Sequence, residues 1–220
     1  MIDFWIGLSS GLRASLLITT FLMIVLTIMG ARVSRLKTSD VPGGFTLIFV
    51  MLVEMVNENQ REFFKQHWRK FTPLLFTILL YLGFANTAAL AGLTAPLSNL
   101  NVALSFSAFA FLTLQLSALV IRRPFQRAKD LMDPHPAFLA INLIGEMSTP
   151  FAMGLRLFGN LVSGSIIAIF LYAVLGALSP VLSIIAGTFL HAIFDIFFGL
   201  VQAYVYYMLM TIFLSMAVED

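Results

Sequence analysis

Arg156 is the sole lysine or arginine between Asp130 and Asp220, and it stands in a long apolar run. A guanidinium does not shed its proton, so burial cannot be relieved by neutralisation. At membrane depth such a charge costs at least about 2.5–3.5 kcal/mol on insertion scales. A cation held at that cost calls for a partner of opposite sign. At 100° per residue Asn160 and Ser163 share its helical face, with Asn142 and Ser165 as further polar positions. Glu146 lies ten residues earlier, about 15 Å along a helix axis. That is too far for a direct ion pair, but Glu146 could line a polar path. Farther on, His191, Asp195 and Gln202 are spaced by four and seven and fall on one stripe with Gly199. His and Asp titrate and can pass protons, whereas Arg can only set a field. Intramembrane charges arranged this way point to an ion route.

Plainer readings exist for each residue. Arg156 and Asp195 could form a structural salt bridge between helices. Glu146 could be protonated and inert in a packing interface. His191 could serve as a hydrogen-bonding helix contact, and Gln202 as interhelical glue. Gly154, Gly159, Gly164 and Ser163 suit close packing better than ligand binding. His67 and His135 read as solvated loop residues.

Several chemistries are excluded. With no cysteine there is no disulfide or thiolate metal site, and three histidines make no zinc pattern. There is no glycine-rich phosphate loop with a lysine, so the chain should not hydrolyse a nucleotide itself, and no cofactor is expected. The net charge of +2 resides in loops and does not suggest nucleic acid.

The elements that must position these groups belong to a membrane. The chain is 60% hydrophobic and 11% charged, against about 25% charged in soluble domains, which is too apolar for a water-facing surface. A first span is predicted over 14–31; lacking a small-residue cleavage site, it reads as a retained helix. The segment 32–70 is of mixed character, and within it 45–70 begins apolar and turns charged. It is predicted to be cytoplasmic and to hold an interfacial amphipathic helix anchored by Phe63 and Trp68, the alternative being a partly inserted hairpin. Residues 71–121 read as a transmembrane hairpin around an uncharged turn at 94–99. Basic residues cluster in 32–70 and 122–129, so the positive-inside rule puts both on the cytoplasmic side, with the amino terminus and the hairpin turn outside.

The remainder reads as two long helices, 137–176 and 180–218, broken at Gly176–Pro180. Each is longer than an upright crossing needs, so each must be tilted, bent or split. Pro150 and nearby glycines permit bending in the first. The expected fold is a single all-α integral membrane domain of about five to six helices. They include an interfacial amphipathic helix, a transmembrane hairpin and two long, strongly tilted C-terminal helices. The apolar runs lack the strict alternation of a β-barrel.

Three stretches carry a family resemblance. Residues 142–160 read NLIGEMSTPFAMGLRLFGN, 200–217 read LVQAYVYYMLMTIFLSMA, and 98–105 read SNLNVALS. Together they resemble subunit a of F-type ATP synthase, the membrane stator that faces the rotating c-ring. The likeness is specific over about 71–218 and general in layout over 1–70. It implies a non-catalytic proton-channel subunit of a rotary motor in a bacterial plasma membrane, an organellar inner membrane being the weaker assignment. It also implies the c-ring, the peripheral-stalk subunit b, other ATP synthase subunits and membrane lipid as partners. By the same resemblance Arg156 opposes the c-ring carboxylate, Asn160 belongs to its motif, Gln202 faces the arginine and Glu146 lines an aqueous half-channel. Asp195 falls where the family often has His or Glu.

One position departs from the pattern. Nine residues after the arginine many members carry Glu or His, and here the residue is Ser165. Asp195, with His191, is expected to supply the titratable group instead. Two other readings are a secondary transporter for a small anion, with Arg156 as its ligand, and a membrane scaffold locked by Arg and Asp. The first would suit an internal repeat, which is not evident.

Overall fold

The structure is a computed structural model, and it describes residues 9–36, 43–65, 67–121, 132, 135 and 139–218. The basic cluster expected at 122–129 lies outside the described residues. Helix α1 (Ser10–Val33) begins where the Ser9 hydroxyl accepts the Leu12 amide. It buries Ala14, Ile18, Leu22 and Met29, a stripe at helical spacing. Its 24 residues reach about 36 Å, slightly more than the hydrocarbon thickness.

Helix α2 (Phe45–Phe63) carries the predicted amphipathic segment, with its chain direction changing at the extended residue Phe64. Phe63 is in α2, but Trp68 opens helix α3 (Trp68–Asn86). The two expected anchors therefore flank a vertex rather than sharing one helix. Short 3-10 turns at Ala88–Ala91 and Pro96–Ser98 lead into helix α4 (Leu100–Ile121).

Helix α5 (Leu139–Leu178) is continuous over 40 residues despite Pro150, so of the three alternatives for the first long segment it is not the split one. It is about 60 Å long, twice the hydrocarbon thickness, and its largely apolar surface requires it to be inclined within the bilayer. The second long segment starts with a helical turn at Pro180–Leu182 and a π-helical turn at Ser183–Gly187, then continues as helix α6 (Thr188–Val218).

Among the described residues, four stretches are long and apolar enough to cross a membrane: Ser10–Val33, Leu100–Ile121, Ile141–Leu178 and Pro180–Val218. Helix α3 is the less apolar arm of the predicted 71–121 hairpin, because Arg69 and Lys70 occupy its first turn. Its inner residues Leu75, Leu82 and Ala85 are fully buried, and α3 packs along α6 while α4 packs along α5. Only 6% of the most apolar window of α5 is buried inside the chain. Its exposed Ile141, Ile144, Phe151, Ile166, Ile169 and Phe170 must therefore be covered by lipid or by another protein.

Two polar contacts fix the framework around the site. Gln60 on α2 is fully buried and donates to Tyr207 Oη at 2.7 Å and Thr211 Oγ1 at 3.1 Å on α6. Tyr206 donates to the Phe106 carbonyl of α4 at 3.0 Å. Buried side-chain hydrogen bonds of this kind hold helices in register where apolar packing alone would allow sliding.

Candidate functional site

The polar residues separate into two cavities on either side of Arg156. The first has a volume of about 90 Å³, with room for several waters, and its polar lining comprises Asn86, Ser98, Asn160, Ser165, His191, Asp195 and Gln202. Helix α5 contributes Asn160 and Ser165, α6 contributes His191, Asp195 and Gln202, and the end of α3 contributes Asn86. This cavity brings together five of the sequence-derived candidates, Asn160, Ser165, His191, Asp195 and Gln202: all of the named proton-path residues except Glu146.

Gln202 is buried, and its Oε1 accepts a hydrogen bond from Asn160 Nδ2. The glutamine expected to face Arg156 is therefore engaged one turn along α5 instead, because Asn160 reaches the α6 stripe first. His191 Nε2 is 3.4 Å from Asp195 Oδ2, one helical turn away. Its Nδ1 lies 3.4 Å from Tyr172 Oη, and the two rings meet edge to face. With Asp195 Oδ2 as acceptor, Nε2 of a neutral ring is the donor and Nδ1 is left to accept from the tyrosine. The Tyr172 ring fits because it lies on Gly187. A Cβ there would sit 2.6 Å from Tyr172 Cε1, and Ser183 Oγ adds a bond to the Tyr172 carbonyl at 3.2 Å. The π-helical turn thus seats Tyr172 beside His191 across the hairpin.

The second cavity is larger, about 690 Å³, and is lined by Gln115 of α4, by Asn142, Gly145, Glu146 and Thr149 of α5, and by Phe213, Met216 and Ala217 of α6. Gln115 Nε2 donates to Glu146 Oε2 at 2.6 Å. Glu146 is thus apart from Asp195 and His191: the two ends of α5 serve different cavities.

Arg156 lines neither cavity. It is exposed on α5, in the interval between Thr149 and Asn160. Among the described residues it forms no side-chain hydrogen bond or ion pair. Asp195 is paired with His191, so the structural salt bridge between Arg156 and Asp195 does not form. An unpaired cation on an apolar, uncovered helix face fits an acid carried by another chain.

Asn86, Tyr172 and Gln115 were not singled out from sequence, and Ser98 entered only as part of the 98–105 stretch. Asn86 is buried, donates to the Gly199 carbonyl at 3.2 Å and keeps an unpartnered Oδ1. Its available signal was an amide in an apolar stretch just before a turn. Gln115 was likewise an isolated amide in an apolar helix. The role of Tyr172 depends on a contact across the hairpin that spacing does not reveal.

Residues 14–215 match the family described as ATP synthase A chain. The chain is 29% identical to ATP synthase subunit a 2 of Chlorobaculum tepidum, over 89% of this chain and 59% of that protein. It is 26% identical to ATP synthase subunit a 1 of Chlorobaculum parvum, over 95% of this chain and 91% of that protein. It is 30% identical to ATP synthase subunit a of Shewanella baltica, over 86% of this chain and 80% of that protein. The chain therefore spans about three fifths of the length of the first of these relatives and about nine tenths of the second.

Proposed function

This chain belongs to the ATP synthase A chain family, and from that membership we propose that it is the proton-conducting stator of an F-type ATP synthase in a bacterial plasma membrane. It catalyses no reaction itself. It works against a ring of proteolipid subunits, each with a carboxylate at membrane depth, and is held by a peripheral-stalk subunit b. The observation that carries this reading is the unpaired guanidinium of Arg156 between two separate polar cavities.

A proton enters from outside through the Asp195 cavity and neutralises a rotor carboxylate. Tyr172, His191 and Asp195 form an ordered series at its outer end, with Asn160 and Gln202 deeper. The neutral carboxyl turns through lipid for nearly a full revolution. It then meets the Glu146 cavity, releases its proton to the cytoplasmic side and passes Arg156 as an anion. The cation stabilises that anion, and it repels protons that would pass straight between the cavities. The membrane potential contributes about 2.3 kcal/mol per proton per 100 mV. The contact between Arg156 and the carboxylate is transient and hydrated, since a permanent pair would stall the ring.

Asp195 tests the path. In the assembled complex, Asp195→Asn is expected to lower ATP-driven acidification of membrane vesicles at least about tenfold and to change the pH profile of ATP synthesis. Ser165 lines the same cavity, so Ser165→Glu in that background is expected to restore part of the activity. An unchanged pH profile in Asp195→Asn removes Asp195 from the path.

A further inference from the structure

The vertex between α2 and α3 holds a second concentration of charge, which the proton path does not use. Arg61 in the last turn of α2 and Arg69 in the first turn of α3 both lie against Trp68. Their guanidinium carbons are 4.5 and 5.2 Å from the centroid of that ring. Two cations gathered on one indole gain from its face but repel each other. Among the described residues neither has a carboxylate within ion-pair distance. Lys65 and Lys70 flank them, and all four basic side chains are exposed. The glutamates of α2, Glu54, Glu58 and Glu62, form a stripe one position round from Val53, Asn57 and Arg61, about 100° away on the helix. The first turn of α3 contains no acidic residue, and His67 makes no capping side-chain bond, so the helix end adds to the positive potential.

Beside the ring a cavity of about 250 Å³ opens between Val53 and Asn57 of α2 and Arg69, Thr72, Pro73 and Phe76 of α3. Its character changes along its length. Arg69, Asn57 and the indole stand at the vertex. Val53, Pro73 and Phe76 follow, with Phe49 packed edge-on to Phe76 at 6.0 Å. The positive-inside assignment sets the vertex at the cytoplasmic headgroup level, the depth that suits an interfacial tryptophan.

We propose that this cleft binds one anionic phospholipid of the cytoplasmic leaflet. Arg61 and Arg69 hold its phosphate, Asn57 its glycerol region, and the apolar walls the start of an acyl chain. An unneutralised cation pair at headgroup depth, continued by an apolar channel into the bilayer, matches this ligand in both charge and shape. The bound lipid sets the angle between α2 and α3. Because Gln60 ties α2 to Tyr207 and Thr211 of α6, that angle is transmitted to the helix that carries Asp195. The lipid site itself does not depend on the proton path.

The chain has two tryptophans, Trp5 and Trp68, so Trp5→Phe leaves Trp68 as the sole indole. The full chain is reconstituted in phosphatidylcholine vesicles. These contain an equal minor fraction of either phosphatidylglycerol or phosphatidylcholine, brominated near the headgroup end of the acyl chain. Quenching of Trp68 is expected to report about a fivefold or greater preference for phosphatidylglycerol. That preference is expected to disappear in Arg61→Gln combined with Arg69→Gln. Equal quenching by the two lipids overturns the site, as does an unchanged preference in the double variant. Loss of the preference on adding inorganic phosphate at constant ionic strength assigns the cleft to free phosphate and also overturns it. The comparison of lipids on the Trp5→Phe chain does not require the arginine variants to fold.

Discussion

Arg156→Ala is expected to abolish ATP-driven proton pumping by the assembled complex and to open a passive proton leak. The expectation rests on position as much as on charge. The residues of α5 that line the two cavities end at Thr149 on one side and resume at Asn160 on the other, about 16 Å apart along the axis. Arg156 is the sole fixed positive charge in that interval. At an effective dielectric of about 20, a carboxylate about 4 Å from the guanidinium gains about 4 kcal/mol in its ionised form, which lowers its pKa. That is enough to favour proton release as the rotor carboxylate arrives. Without the cation the carboxylate keeps its proton and no field bars flow between the cavities. Arg156→Lys is also expected to fail or nearly fail, because lysine lacks the planar fork and can deprotonate in an apolar setting. Coupled pumping at the normal rate in Arg156→Ala would refute the proposed role. Proton flux in vesicles, driven by ATP and then by an imposed potential alone, measures both effects.

Gly154→Ala disrupts the joint between α4 and α5. A Cβ at position 154 would lie 1.8 Å from Ser107 Oγ and 2.7 Å from the Ala103 carbonyl oxygen. Ser107 can rotate, but the carbonyl belongs to helix backbone, and Ala103 is fully buried. Added volume must therefore push α4 away from α5, a cost of about 1–3 kcal/mol or more for overpacking. Arg156 is two residues farther along, so the same displacement moves the guanidinium. Gly154→Ala is expected to lower the thermal midpoint of the purified complex and the amount of chain recovered in it. Ser107→Gly in that background should restore only part of the loss. A wild-type midpoint and yield in Gly154→Ala would contradict the tight contact.

Much of this arrangement is readable in the residues. The length and apolarity of α1, α4, α5 and α6 announce themselves, because a span of about 20 apolar residues has few other fates. The isolation of Arg156 is equally legible, since an uncompensated guanidinium in an apolar run is costly whatever surrounds it. The boundary between α2 and α3 is less so: charge runs through 54–70 without a break, and the turn at Phe64 is set by packing of Phe64 and Phe71 at 5.0 Å. The π-helical turn is invisible locally, because SIIAG suits an α-helix as well; it exists where Gly187 admits the Tyr172 ring. The division of polar residues between two cavities depends on which helices meet. Gln115 reaches Glu146 across 31 positions, and Asn86 reaches Gly199 across 113. The pairing of Gln202 with Asn160 rather than Arg156 was likewise a matter of reach across two helices.

The most direct test of the central claim is the structure of the complete membrane complex, read at the guanidinium of Arg156. The proposal predicts a carboxylate of a neighbouring proteolipid within about 6 Å of it, with ordered water between them and water-filled clefts at Asp195 and Glu146 that do not join. A guanidinium directed to phospholipid headgroups or bulk water, with no rotor carboxylate within reach, would contradict it.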